Sequence, residues 1–310
     1  MTPNPTYDVV VLGGGLAGLT AGLFAARQGH PTLVLTGGVP GGHLINVETI
    51  EDYPGFPNGV PGVELCPLAQ EQAANAGAEF SMAEAVGLRR ATEASWQVET
   101  TEGAFHTRTV IVAVGSRRRA LGLAGEAEFE GRGLSYCASC DGPLFRDQPV
   151  GVVGGGDSAL QEALTLARFA RRVIVFDKAA AFSSSAQHVY RERAAREARV
   201  EVRHATQVED ILGDGRLTGV RVRDLATDQV SEVAVAGLFP CVGLEPNTAF
   251  LRGTLGLDDT GHIPTDIWLR TELPGVFAAG DVRQDSASQA IVAAGDGATA
   301  AIAAHRYLQA

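Results

Sequence analysis

The segment Cys137-Ala138-Ser139-Cys140-Asp141 carries residue types that could do chemistry by themselves. Two thiols at this spacing can close a small disulfide ring and exchange with another disulfide. The adjacent carboxyl of Asp141 can move a proton to or from a thiolate. The competing use of such a pair is half of a zinc site, which needs four ligands. Cys66 and Cys241 stand alone, and the chain has no second CxxC and no HxxxH. An inert buried pair is the other alternative, because free Cys is so often core. Redox exchange is the chemistry expected. Cys66, before Pro67 at an expected helix start, and Cys241, at an expected strand end, read as packing residues. His43 and His204 read as surface or internally satisfied histidines.

Two glycine-rich turns flank this segment in sequence. GGGLAG places Gly13, Gly15 and Gly18 in a GxGxxG pattern directly after an apolar strand. The first Gly makes the tight turn, the second lets backbone approach a pyrophosphate, and the third lets helix and strand pack closely. The following helix N-terminus stabilises negative charge. GGGDSA repeats the arrangement as GxGxxA at Gly154, Gly156 and Ala159. A shift of 141 positions superposes Gly13 on Gly154, Arg27 on Arg168 and Val34 on Val175 without a gap. Such an internal repeat implies two dinucleotide folds in one chain and two nucleotides, most simply a flavin and a nicotinamide.

These turns need strands and helices to hold them. Tyr7 to Leu12 reads as a buried parallel strand, Leu16 to Gln28 as a helix ended by Gly29, and Thr32 to Leu35 as the next strand. Residues 37–62 are too often interrupted by Gly and Pro for regular structure. Glu64 to Gly77 is helix-like, Val110 to Gly115 is a further buried strand, and Arg117, Arg118 and Arg119 begin a linker. Alternation over 201–242 predicts antiparallel strands. GVFAAGD runs from strand to loop, and Gln289 to Leu308 closes the chain as a helix.

Composition bounds the function. The chain has 310 residues, 45% hydrophobic and 20% charged, which suits about two globular domains. Its 38 Gly lack a period of three, which excludes collagen. A net charge of −11 supplies no basic footprint for nucleic acid. No apolar run approaches a membrane span, and the N-terminus lacks the pattern of a signal peptide, so a cytoplasmic protein without a membrane partner is expected. Four cysteines are too few for a disulfide scaffold of this size.

Together, GGGLAG, EDYPGFPNGVPG, YCASCDG, GGGDSA, VAGLFPCVGLEPNTAFL, PGVFAAGD and the terminal HRYL resemble the low-molecular-weight bacterial thioredoxin reductase family. The resemblance covers nearly the whole chain. It implies an α/β fold with two Rossmann-like dinucleotide-binding domains, of the pyridine nucleotide-disulfide oxidoreductase class II type. The FAD-binding domain would be discontinuous, 1–115 and 245–310. The pyridine-nucleotide-binding domain, 116–244, would carry the CxxC. FAD would be held by Gly13, Gly15, Ala17, Gly18, Thr36, Gly42, His43 and Asp52, with Gly280 and Asp281 in a second FAD motif and Gln289 and Ala290 near the pyrimidine end. NADH or NADPH would meet Gly154, Gly156, Asp157, Ser158, Ala159, Asp177 and Lys178. The implied relay runs from a nicotinamide to FAD and on to the Cys137–Cys140 disulfide. Cys140 would face the flavin, Cys137 would attack the partner's disulfide, and Asp141 would be the acid. The partner would be a thioredoxin-like protein or a small disulfide, and the enzyme a homodimer.

Departures from the family pattern sharpen these expectations. The family's HRRxxxR stretch aligns with Asp177, Lys178, Ala179, Ala180, Ala181, Phe182 and Ser183, so the arginine grip on a 2′-phosphate is lost. Asp177, 23 residues after Gly154, stands where an acid accepts hydrogen bonds from the ribose hydroxyls of NADH. Thr36 replaces the acid usual after the second strand of a dinucleotide fold. His43, Asp52 and Ser288 replace the family's usual Gln, Asn and Arg. Two other readings remain open. The relay could take electrons from another donor such as ferredoxin, or run backwards as a thiol oxidase. Alternatively the chain could be a flavin redox sensor without turnover.

Overall fold

The computed structural model describes residues 7–182 and 186–310, and Ser183 lies outside them. The chain divides into two compact units, Met1–Arg117 with Glu245–Ala310, and Arg118–Leu244.

The first unit opens with β1 (Tyr7–Leu12), α1 (Leu16–Arg27) and β2 (Thr32–Leu35), then α2 (Gly62–Asn75) and β3 (Glu79–Ser81). A meander of β4 (Ala85–Thr92), β5 (Ser95–Thr100) and β6 (Gly103–Val112) follows. The first half of β6 pairs antiparallel with β5, while its second half pairs parallel with β1. One strand therefore serves both a parallel sheet and the antiparallel layer. Val9 to Leu12 are fully buried because both sheet faces are covered. Val9 and Val11 pack among small residues of α1 such as Ala21 and Ala25, while Val10 and Leu12 pack with Leu88, Trp96 and Val98 of the meander.

The chain leaves the first unit at β7 (Ser116–Arg118). The second unit carries α3 (Ala138–Asp141), then β8 (Pro149–Val153), α4 (Asp157–Leu166), β9 (Arg172–Phe176), α5 (His188–Arg196) and β10 (Val200–Arg203). β11 (Thr206–Gly213), β12 (Leu217–Asp224) and β13 (Val230–Ala234) form an antiparallel sheet, and β14 (Gly237–Pro240) returns to a parallel sheet of order β10-β9-β8-β14. The repeat read from the sequence is thus repeated in space. Val150, Val152, Val173 and Val175 pack on Ala159, Ala163 and Leu166 of α4, and Ile174, Phe176 and Leu238 meet the antiparallel sheet. The chain returns through β15 (Leu244–Pro246) to β16 (Val276–Ala278), parallel to β6, and ends in α6 (Ala290–Gln309), which packs along α1.

Four sequence expectations need correction. β10 and β14 are parallel strands, and only β11 to β13 are antiparallel. Alternation reports which face is buried and carries no information about strand direction. The Gly/Pro stretch contains a short 3₁₀ turn, Gly42–Asn46. α2 begins at Gly62, so Cys66 lies inside the helix instead of at its start. Gly62 lets the helix begin there, since a Cβ would lie 1.7 Å from the Leu44 carbonyl oxygen. Of the three arginines expected to begin a linker, Arg117 and Arg118 lie in the short strand β7 and Arg119 follows it.

Candidate active site

In the first unit, the expected FAD residues gather around the N-terminus of α1. Gly13 has φ 112°, and a Cβ there would lie 2.2 Å from the Ala113 carbonyl oxygen. A Cβ on Gly18 would lie 1.9 Å from the Gly13 carbonyl oxygen, so strand and helix can close only over glycine. Gly15 is different: a Cβ there meets no protein atom within 4 Å. Packing within the chain does not demand Gly15, whereas close approach of a pyrophosphate does. No acidic side chain stands in the first turn of α1 to compete for its N–H groups. This cradle fits the diphosphate of FAD.

Other residues converge on the same place. Gly42 approaches the Gly15 Cα, and Gly280 approaches the Ala17 Cβ. The Thr36 hydroxyl lies 2.7 Å from the Gly38 carbonyl oxygen and 3.2 Å from that of Ser81, so its single proton is taken by the backbone. His43 Nε2 lies 2.5 Å from the Ser116 carbonyl oxygen. Asp281 is half-buried; burial raises its carboxyl above the usual range, Asp296 adds to this, and His43 and His262 oppose it. The Gly280 N–H donates to Asp296 at 3.0 Å, and Arg283 pairs with the same carboxylate at 2.8 Å, which fixes the loop carrying Asp281. Gln289 forms the N-cap of α6, and Ala290 packs with Leu16 and Ile50. Asp52 is exposed on the loop that continues from Ile50.

The second turn follows the same geometry. Gly154 has φ 137°, and a Cβ would lie 2.2 Å from the Cys241 carbonyl oxygen. Gly156 caps α4, and Ala159 is fully buried beneath the turn. Asp157 accepts the Gln187 N–H at 2.6 Å, and Ser158 is exposed. Asp177 is only 5% exposed, and its carboxylate lies against Gly155, where a Cβ would come within 2.4 Å of it. It accepts from the Ala179 N–H at 3.0 Å and from His204 Nδ1 at 3.0 Å. Lys178 is exposed beside it and is the only lysine in the chain.

Cys137 and Cys140 are joined in a disulfide with Cα atoms 5.3 Å apart, and Cys140 is the more exposed. Cys137 is the N-cap of α3, and its Sγ accepts the Cys140 N–H at 3.3 Å. Asp141, at the end of α3, accepts the Ser135 hydroxyl at 2.6 Å, while the Ser135 oxygen accepts the Cys137 N–H at 3.1 Å. One serine thus ties the acid to the backbone of the first cysteine. Burial pushes the Cys66 thiol up to about 11 and the Cys241 thiol up to about 12, so neither is a ready nucleophile. Among the described residues, no group of three or more His, Cys, Asp or Glu is placed to hold a metal ion.

Sequence reasoning missed three members of these sites: Ser135, His204 and Glu162, whose carboxylate accepts the Ala138 N–H at 2.6 Å. Ser135 could have been found from its position two residues before the CxxC. The other two are brought in by tertiary packing, and no sequence period marks them.

A family model described as pyridine nucleotide-disulphide oxidoreductase matches residues 7–297. A thioredoxin reductase of Mycolicibacterium smegmatis is 40% identical over 310 residues, 99% of this chain and 98% of that protein. One of Streptomyces coelicolor is 38% identical over 305 residues, 98% of this chain and 94% of that protein. The solved thioredoxin reductase of Lactococcus lactis superposes with a TM-score of 0.95 at 38% identity, covering 98% of this chain and 99% of that one. Matches of this extent, on a chain with two dinucleotide turns and a disulfide followed by an acid, place it in the pyridine nucleotide-disulphide oxidoreductase family, as a flavoprotein oxidoreductase of the thioredoxin reductase type.

Proposed function

We propose that the protein reduces a thioredoxin-like protein or a small disulfide through Cys137–Cys140, using FAD and taking electrons from NADH in preference to NADPH. The observation that carries the reading is the Cys137–Cys140 disulfide with Asp141 held beside it by Ser135. In this reading the unit built from the two chain ends is the FAD-binding domain, and the unit containing the disulfide is the pyridine-nucleotide-binding domain. A cytoplasmic homodimer belongs to the same reading and rests on the resemblance to thioredoxin reductases; among the described residues no helix is long and apolar enough to span a membrane.

The chemistry FAD supplies when bound is two-electron transfer between a nicotinamide and a disulfide. The protein's own residues do the rest. Gly13, Gly15 and Gly18 with the first turn of α1 hold the diphosphate, and Asp281 stands ready for the ribitol. In the reduced pair, the Cys137 thiolate attacks one sulfur of the partner's disulfide, forming a mixed disulfide and releasing one partner thiolate. Asp141, oriented by Ser135, supplies or collects the proton as thiolates form and leave. Cys140 then attacks Cys137 Sγ, closes the ring and releases the second partner thiol. Two electrons and two protons pass to the partner.

Donor choice rests on Asp177. Its buried carboxylate suits ribose hydroxyls and repels a 2′-phosphate. The test is anaerobic mixing of the yellow protein with NADH, NADPH or dithiothreitol while flavin absorbance is followed. Bleaching by NADH at least tenfold faster than by NADPH supports the reading, and the reverse order refutes the donor choice. If neither nucleotide bleaches the flavin but dithiothreitol does, a non-nicotinamide donor such as ferredoxin, or thiol oxidation, replaces it. Failure of all three leaves the non-catalytic sensor.

A further inference from the structure

Glu162, on α4, reaches the disulfide segment from beneath. Its Oε2 accepts the N–H of Ala138, the residue after Cys137, at 2.6 Å. Its Oε1 pairs with Arg118 Nη2, and Arg118 Nη1 donates to Cys241 Sγ at 3.1 Å. The Glu162 and Arg118 side chains are only 14% and 24% exposed. An ion pair this enclosed is poorly screened by salt, and enclosing both charges costs desolvation. A neutral glutamine could accept the same N–H, so the hydrogen bond alone does not require a charge. The other ionisable groups around the segment are Asp141, held by Ser135, the Tyr136–Glu126 pair, whose hydroxyl and carboxylate are 3.2 Å apart, and the Cys241 thiol.

We propose that Glu162 and Arg118 are positioning residues for the reactive thiol: Glu162 fixes the Ala138 peptide, and the pair keeps the local field at the Cys137 thiolate close to neutral. The Ala138 N–H is taken by Glu162 and is therefore not offered to the thiolate, which keeps the Cys140 N–H. With both charges present, the thiolate keeps two local donors, the Cys140 N–H and the Ser139 hydroxyl, each 3.3 Å from Cys137 Sγ. With only Arg118, the thiolate gains an attractive cation. With only Glu162, it faces a carboxylate at the next peptide. The two single substitutions must therefore act in opposite directions. The inference rests on Cys137 being the exchanging thiol, but not on the choice of electron donor.

The test is the pH profile of Cys137 alkylation by iodoacetamide in full-length, FAD-loaded protein carrying Cys140→Ser. Cys66 and Cys241 are read separately by peptide mass. Glu162→Gln should move the Cys137 midpoint down by about one pH unit, and Arg118→Gln should move it up by about one. The double variant should return to within a few tenths of the parent. A purely structural role predicts shifts of the same sign, or none, and either result overturns the proposal. If Glu162→Gln does not fold, Arg118→Lys against Arg118→Gln makes the same comparison. The lysine keeps the charge and should hold the parental midpoint; a lysine variant that shifts as far as the glutamine one overturns the proposal. A Cys137 unreactive at every pH removes both the exchange role and the inference built on it.

Discussion

His204 Nδ1 lies 3.0 Å from Asp177 Oδ2, so the acid at the second nucleotide turn is held by an imidazole from the next strand connection. A carboxylate only accepts, so Nδ1 carries the proton. Asp177 Oδ1 is taken by the Ala179 N–H, and the His204 ring meets Phe182 edge-on at 4.7 Å. The turn is fixed further by Ala205 at φ 49°, an uncommon conformation for a residue with a Cβ, and by the Thr206 N–H donating to the Asp177 carbonyl. Both oxygens of the acid are therefore held in place by the protein itself.

This geometry predicts what substitutions at the pair do. A charge-assisted hydrogen bond contributes about 1.5–3 kcal/mol, so absence of two phosphate-gripping arginines weakens NADPH by about 3–6 kcal/mol, or two to four powers of ten. Asp177→Ala removes the contacts to NADH and the repulsion of NADPH together. The NADH-to-NADPH ratio of flavin reduction rates should fall at least tenfold. His204→Ala leaves the acid charged but less firmly held, so NADH should weaken several-fold while NADPH changes little. Stopped-flow flavin reduction with each nucleotide reads both. An unchanged ratio in Asp177→Ala would remove this residue from donor selection.

The four cysteines should separate sharply in reactivity. After reduction, Cys137 and Cys140 are accessible, whereas burial pushes the Cys66 thiol up to about 11 and the Cys241 thiol up to about 12. At pH 8, Cys66 and Cys241 should resist iodoacetamide in the folded protein and react after denaturation. In addition, Cys137→Ser should show long-wavelength charge-transfer absorbance from Cys140 beside oxidised FAD. Cys140→Ser should lack that band and trap a mixed disulfide through Cys137. Identical spectra for the two variants would contradict the division of roles.

What could be read from the sequence was local in sequence. Gly13 to Gly18, Gly154 to Ala159 and Cys137 to Asp141 each lie within one turn of chain, and their spacing is the signal. The strand Val9 to Leu12 was legible because burial on both faces leaves an unbroken apolar run. The directions of β10 and β14 were not, because alternation marks faces only. The supporting residues were hidden for another reason. Glu162 meets Ala138 across 24 positions and Arg118 across 44, and His30 meets His305 across 275. Those pairs exist only once the sheets have brought distant connections together.

The last pair gives a stability prediction for the first unit. His30 Nε2 lies 2.9 Å from His305 Nδ1 and its other nitrogen 3.2 Å from Asp8, so two hydrogen bonds through one imidazole link α6 to β1. Arg108 donates to Asp8 at 3.2 Å and to the Leu308 carbonyl at 3.2 Å, which ties down the end of α6. Asp8→Ala strips two partly buried cations or donors of their acceptor and should cost about 1–3 kcal/mol. Thermal melting of the purified protein should show a midpoint lowered by about 2–4 °C for each kcal/mol. A variant melting with the parent would show that the network adds nothing to stability.

Asp281 yields the most discriminating pH test, because its two roles predict opposite signs. Burial, with Asp296 nearby, raises the carboxyl in the folded protein, against the pull of His43 and His262. A raised carboxyl means that the fold favours the neutral acid. The penalty for ionising it is absent below the unfolded value of about 3.9, grows as pH rises toward the raised folded value, and is constant above that. In protein stripped of FAD, Asp281→Asn should therefore unfold at higher denaturant concentration than the parent at pH 7. This advantage should shrink as pH falls through the raised value toward 3.9. In FAD-loaded protein the same substitution removes the acceptor proposed for the ribitol, so FAD should dissociate faster and the stabilisation by the cofactor should decrease. Denaturant titrations at several pH values, with and without FAD, separate the two effects. A variant that is less stable than the parent without FAD would mean that Asp281 is held by favourable contacts in the empty protein, and the functional explanation for its burial would fail.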